Sequence, residues 1–178
     1  MDLEPCALNP QQMADVNKSN LNTPTGILPK DAFIVLAKTE WNAAIVDELE
    51  RGCINKLKES GAKKIVTITV PGAIEIAFAV KAYWEHLKGK KKKRPNAFIA
   101  LGCVIRGGTP HFDYVCKAVI EGVVQLNLLL PVPTIFGVLT VDSEEQAQER
   151  IGGIHGHKGE EAATTAIKMI SVNQSFKK

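Results

Sequence analysis

Four short apolar runs, at residues 32–37, 64–70, 96–105 and 132–139, punctuate this chain, and each is followed by a stretch with helical spacing. Runs that stay apolar at successive positions suit strands covered on both faces, as parallel strands are. Between the first two, Ile45, Leu49, Cys53 and Leu57 fall four apart on one stripe, and Gly61 supplies a left-handed stop, which predicts a helix over 42–60. After the second run, Pro71 suits a first helical position. Ile76, Val80, Tyr83, Trp84 and Leu87 then form an apolar face leading to Gly89. The same logic places helices near 112–129, 144–151 and 160–172, with a glycine-rich break at 152–159. Strands alternating with helices over short connections imply a parallel sheet with right-handed crossovers, hence a three-layer α/β/α sandwich. In such sheets ligands bind beyond the carboxyl ends of the strands, so chemistry is expected in the segments just after each strand.

At 178 residues and 45% hydrophobic content, one core is expected, with 32–178 as a single domain. Residues 1–31, rich in Asn, Gln, Pro and Thr, keep no period and read as an arm, flexible or ordered by a neighbouring subunit. No apolar run approaches the roughly 20 residues of a bilayer span, so no membrane partner is expected. The N-terminal region lacks a secretory layout and carries Asp2, Glu4 and Asp15. Cys6, Cys53, Cys103 and Cys116 show no CxxC spacing, so reduced thiols and a cytoplasmic location are expected. Six positive charges crowd into residues 88–94, and removing them from the formal +3 leaves the rest of the chain at −3. That run has no interleaved aromatics and reads as a solvated inserted loop, not a nucleic-acid surface.

Four strand-end segments stand out. Trp41-Asn42 follows the first strand. The indole can stack on a planar heterocycle or close the core edge, and Asn42 can bind a ligand or cap a helix. Ala73-Ile74-Glu75 follows the second, where Glu75 can accept hydroxyl hydrogen bonds from a polyol or simply complement a helix dipole. Cys103-Val104-Ile105 ends the third and runs through Gly107-Gly108-Thr109 to His111, so backbone N–H groups and a hydroxyl converge ahead of a helix, where an anion such as phosphate fits. The spacing is not that of a Walker motif. His111, with an unperturbed pKa of about 6.5, can shuttle protons near neutrality, or it can be a capping or solvated side chain. Phe136 lies in the fourth run, where core packing is its ordinary role. Arg150 and Lys158 bracket the glycine-rich turn and can neutralise a phosphate or be plain surface cations. His155 and His157 lack the companions a metal site needs, so no metal is expected.

Taken together, these segments resemble the lumazine synthase family over about residues 32–172. Trp41-Asn42, Pro71-Gly72-Ala73-Ile74-Glu75, Gly107-Gly108-Thr109-Pro110-His111-Phe112-Asp113-Tyr114, Phe136-Gly137-Val138-Leu139-Thr140, Glu145-Gln146-Ala147 with Arg150, and Lys158-Gly159-Glu160-Glu161-Ala162-Ala163 occur in family order. The resemblance implies a flavodoxin-like fold on a four-stranded parallel sheet and a transferase of riboflavin biosynthesis that needs no cofactor. That enzyme condenses 5-amino-6-(D-ribitylamino)uracil with 3,4-dihydroxy-2-butanone 4-phosphate to 6,7-dimethyl-8-ribityllumazine, phosphate and water. It implies Trp41 stacked on the pyrimidine, Asn42 and Glu75 on the ribityl chain, and backbone contacts from Ala73, Ile74, Cys103, Val104 and Ile105. Gly108, Thr109 and Arg150 would bind the phosphate, and His111 would shuttle protons. Phe136, Arg150 and Lys158 would arrive from an adjacent protomer of a homo-pentamer, with a sixty-subunit icosahedral capsid and association with riboflavin synthase as further expectations. The sequence departs from the family pattern in the basic run at 88–94, in His157 where Asn is usual, and in Ile154 where Lys is usual. A non-catalytic flavin- or lumazine-binding shell protein of the same fold is the alternative.

Overall fold

The structure, a computed structural model, describes residues 28–89 and 94–177; most of the N-terminal arm and Lys90 to Lys93 of the basic run lie outside the described residues. The chain runs β1 (Phe33–Thr39), α1 (Ala43–Glu59), β2 (Lys64–Val70), α2 (Glu75–His86), β3 (Ala97–Ile105), α3 (His111–Leu129), β4 (Thr134–Val141), α4 (Glu144–Gln148), β5 (Ile151–Gly153), β6 (Gly156–His157) and α5 (Lys158–Ser175). The first four strands make a parallel sheet in the order β2-β1-β3-β4. This is the expected three-layer, flavodoxin-like α/β architecture.

The two faces of the sheet are read from β1 by parity. Phe33, Val35 and Ala37 pack with Ile76, Val80 and Trp84 of α2 and Val119, Val123 and Leu126 of α3. Ile34 and Leu36 pack with Cys53 and Leu57 of α1 and Ala163, Ala166 and Ile170 of α5. Every β1 residue from Phe33 to Ala37 is at most 1% exposed, which is why that run reads as unbroken apolar sequence. Each of the larger side chains, Phe33 to Leu36, contributes about 1.5–3 kcal/mol when fully buried. A third cluster, with Ile45, Leu49, Cys103, Val141 and Ile151, closes the sheet's carboxyl end beneath α4.

Helix α1 stops as its sequence dictates. Gly61 adopts φ +89°, its N–H donates to the Lys58 carbonyl, and the Ala62 N–H donates to the Leu57 carbonyl at 3.0 Å, a Schellman closure. Helix α2 starts later than the expected Pro71. The Trp41 N–H reaches the Pro71 carbonyl and the Glu40 N–H the Val70 carbonyl, so residue 71 is still tied to the segment after β1 and the helix begins at Glu75. The predicted helix 144–151 is likewise shorter, ending at Gln148, and the break at 152–159 contains an antiparallel hairpin, β5–β6, that no periodicity announced. Helix α5 extends to both sides of its expected 160–172, because the His157 Nδ1 accepts the Gly159 N–H at 3.2 Å and caps its first turn.

Helices α1 and α5 cross in close contact, and two glycines allow it. A Cβ on Gly52 would sit 2.2 Å from the His157 ring, and one on Gly159 would sit 2.1 Å from the Leu49 carbonyl oxygen. Across the α1–β2 edge, Lys38 Nζ donates to Asp47 and Glu50 at 2.7 and 2.6 Å, and Glu50 also accepts from the Thr67 hydroxyl. No helix among the described residues is long and apolar enough to cross a membrane. Gly159→Ala should therefore force α5 away from α1 and destabilise the fold by about 1–3 kcal/mol; an unchanged urea midpoint would contradict this packing.

Candidate functional site

The sheet leaves an opening at its centre because its ladders end at different heights. Pairing between β1 and β3 stops at Lys38 with Leu101, whereas pairing between β3 and β4 continues to Ile105 with Val141. The last four residues of β3 thus have no strand on the β1 side. Alternate residues of a strand present their backbone groups to the same neighbour, so Cys103 and Ile105 turn theirs toward the gap. The Asn42 side chain takes the Cys103 carbonyl, donating through Nδ2 at 2.8 Å.

That bond replaces the helix cap expected of Asn42. The residue lies in the left-handed region (φ 57°, ψ 44°), its side chain caps nothing, and its carbonyl instead accepts the first bonds of α1 from Ile45 and Val46. Asparagine tolerates this conformation better than most residues. The turn also throws Trp41 outward: its side chain is 73% exposed, which excludes the core-closing role the residue alone allowed.

A hollow of about 450 Å³ opens here, lined by Thr39, Trp41, Asn42, Gly72, Ala73, Ile74, Glu75, Cys103, Val104, Ile105, His111 and Val115. It contains every predicted residue from the first, second and third strand ends except Gly108 and Thr109. Gly72 keeps the floor low; a Cβ there would meet a Glu75 carboxylate oxygen at 2.9 Å. His111 is exposed at the first position of α3. Gly108 and Thr109 sit in the exposed turn just before that helix, whose N-terminal position, Pro110, provides no side-chain cap. Unsatisfied N–H groups of a first helical turn favour an anion.

Phe136, Arg150 and Lys158 are elsewhere on the chain. They line a second hollow of about 690 Å³ along the edge strand β4 and the start of α5. The two hollows share no lining residue. Phe136 is 39% exposed at this edge, not packed in the core as its run suggested. Lys158 Nζ pairs with Glu161 at 2.7 Å. His155 and His157 face Glu149 and Glu48 at 3.5 and 3.4 Å, and among the described residues no three His, Cys, Asp or Glu side chains group as a metal site would require.

The family described as 6,7-dimethyl-8-ribityllumazine synthase matches residues 31–174, the whole of this sheet and all but the last residue of its helices. The chain belongs to that family. Among its relatives are proteins named 6,7-dimethyl-8-ribityllumazine synthase from Parabacteroides distasonis, 46% identical over 78% of this chain and 84% of that protein, and from Porphyromonas gingivalis, 46% identical over 82% of this chain and 88% of that protein. A third, from Bacteroides fragilis, is 45% identical over 79% of this chain and 95% of its own length.

Sequence reasoning about this lumazine synthase family member passed over the residues that brace the turn before α3. Arg106, the first residue after β3, donates from Nε to Asp142 at 2.7 Å and from Nη1 to Asp113 at 3.1 Å, and its guanidinium lies 4.0 Å from the centre of the Phe112 ring. Hydrogen bonds to Asp142 and then Asp113 hold the guanidinium above its ordinary pKa. The available signal was an arginine directly ahead of paired glycines, with an aspartate seven residues on. Thr39, Gly72 and Val115 also line the hollow without having been singled out.

The cysteines among the described residues are free thiols, as expected. Burial, helped by Glu144, pushes the Cys103 thiol up to about 11, and burial pushes Cys53 up to about 12. Cys103 thus meets the hollow as a neutral, weakly polar wall. Its alkylation by iodoacetamide in the native protein should be slow at pH 8 and accelerate as pH rises toward 11; rapid labelling of the Cys103 peptide at pH 7, seen by mass spectrometry, would contradict its burial.

Proposed function

We propose that this chain is a transferase that condenses 5-amino-6-(D-ribitylamino)uracil with 3,4-dihydroxy-2-butanone 4-phosphate, releasing 6,7-dimethyl-8-ribityllumazine, phosphate and water in riboflavin biosynthesis. The observation that carries this is the meeting of an exposed indole, an asparagine, a helix-start carboxylate and His111 around one hollow in a member of the lumazine synthase family. Trp41 offers a flat face for the pyrimidine. Asn42 and Glu75 suit the hydroxyls of the ribityl chain, while the open backbone edge at Cys103 to Ile105, with Ala73 and Ile74 opposite, suits the polar rim of the heterocycle. Gly108 and Thr109, with Arg150 as the cation, take the phosphate.

The chemistry asks little more than alignment and proton management. The pyrimidine amine adds to the C2 ketone and loses water to form an imine; C3 then gives up its proton as phosphate leaves C4, the resulting enol tautomerises to a C3 ketone with C4 as a methyl group, and the ribityl nitrogen adds to that ketone and loses a second water to close the ring. His111, at the mouth of the hollow beside the phosphate turn, accepts and returns protons between these steps. Such a shuttle contributes about 10²–10⁴-fold. His111→Ala should therefore lower kcat by about 10²-fold while leaving affinity for the pyrimidine nearly intact. The assay follows lumazine fluorescence and phosphate release, and an unchanged kcat would favour a non-catalytic ligand carrier.

We further propose that Phe136, Arg150 and Lys158 complete the hollow of a neighbouring subunit in a homo-pentamer. Their separation from the first hollow supports this, as do the exposed apolar side chains Ile120, Val124, Leu128 and Leu129 on α3, a face that suits burial between copies. Residues 32–178 form the single domain of each subunit, and the enzyme works in the cytoplasm. Assembly into a sixty-subunit capsid, with riboflavin synthase as an associated partner, completes the proposal. Mixing inactive His111→Ala subunits with inactive Arg150→Ala subunits should regenerate about a quarter of wild-type sites in random mixed rings, since each site then draws one face from each copy. No recovered activity after co-refolding would place both hollows' residues in one subunit's site.

A further inference from the structure

The turn of residues 107–110 has little of its own to hold it. All four residues are exposed, a Cβ added at Gly107 or Gly108 would touch nothing within 4 Å, and Pro110 gives α3 no side-chain cap. Glycines make the turn costly to order, so an unbraced loop would sample many shapes. A phosphate site made from backbone N–H groups and one hydroxyl works only if those donors stay within a few tenths of an ångström of their positions.

The bracing comes from one side. Arg106 continues the β3–β4 ladder through its N–H to the Val141 carbonyl at 2.9 Å, and its guanidinium joins Asp142 at the end of β4 to Asp113 and Phe112 in the first turn of α3. The turn therefore begins and ends on groups held by the same side chain. A planar fork with several fixed donors can bridge two carboxylates and lie on an aromatic ring; a lysine cannot do all three.

We propose that Arg106 is a positioning residue for the condensation, holding turn 107–110 and the start of α3 in the shape that binds the phosphate of the butanone substrate. This rests on the phosphate role of Gly108 and Thr109 proposed above. Arg106 is not itself the phosphate's cation: two aspartates already satisfy its charge, whereas Arg150 lines a hollow and is the cation suited to the anion.

The two roles give opposite signs at Asp142. If Arg106 held the phosphate directly, Asp142→Asn would remove a competing anion and tighten phosphate binding. As a tether, the same change frees the turn and weakens it. The test uses the full chain in its native assembly, with inorganic phosphate titrated calorimetrically and steady-state KM measured for each substrate. We expect Arg106→Gln to raise both the phosphate Kd and the KM for butanone phosphate about five- to tenfold, within the range of one net hydrogen bond, with the KM for the pyrimidine changed less than about twofold. Asp142→Asn should move phosphate binding in the same direction, Arg106→Lys should rescue only part of the loss, and the double variant Arg106→Gln with Asp142→Asn should be no worse than Arg106→Gln alone. Tighter phosphate binding in Asp142→Asn, or additive losses in the double variant, would overturn the tether. Thr109→Ala separates the two proposals. If it weakens phosphate binding while Arg106→Gln and Asp142→Asn do not, the tether alone fails; if it changes nothing, the phosphate site and the tether fall together. Arg106 is 44% exposed in its side chain, so these variants should retain the wild-type circular dichroism.

Discussion

The site depends on a mismatch in strand length. β3 stays hydrogen-bonded to β4 for four residues after it has parted from β1, and this uncovers a backbone edge at the centre of the sheet. Buried peptide groups without partners are costly, so such an edge must be satisfied by something. Asn42 takes one carbonyl, held in a left-handed turn that its side chain makes affordable, and the same turn swings Trp41 into solvent above the gap. The exposed indole and the open backbone edge beneath it therefore share one local cause.

Around this gap the fold is rigid where geometry matters and open where chemistry enters. α1 and α5 are locked at Gly52 and Gly159, and β1 is buried on both faces, so the platform cannot drift. The mouth of the hollow is different. His111 and the turn before it are exposed, and Arg106 couples the ends of β4 and α3 beside them. Loops set on a stiff scaffold are where α/β proteins place function, and here the stiffness is transmitted through charged side chains instead of packing.

The division between the two hollows has a physical reading of its own. The first occupies the crevice where neighbouring connections leave β1 and β3 in opposite directions, the usual ligand position for this topology. The second runs along β4, whose outer edge no strand of the described chain covers. An uncovered edge strand is a natural seat for another copy, so the same feature that leaves a single chain incomplete suits the pentamer proposed above.

The layered fold was legible in the residues because it follows from repetition: both faces of β1 are buried, so every position in 32–37 had to be apolar, and the stripe Ile45, Leu49, Cys53, Leu57 had one geometry that could bury it. The strand-end segments were legible as unusual for the same reason, since Gly107-Gly108-Thr109 and Trp41-Asn42 break the pattern. Their roles were not. Whether Trp41 faced core or solvent, whether Asn42 capped a helix, where α2 began and that Arg106 reached Asp142 all turned on partners about 30 to 61 residues away, and periodicity carries no information about those. Local sequence determined which elements form and which faces they bury; only the packed sheet, through its unequal ladders, decided which side chains meet, because contacts between distant segments are set by register and not by neighbours along the chain.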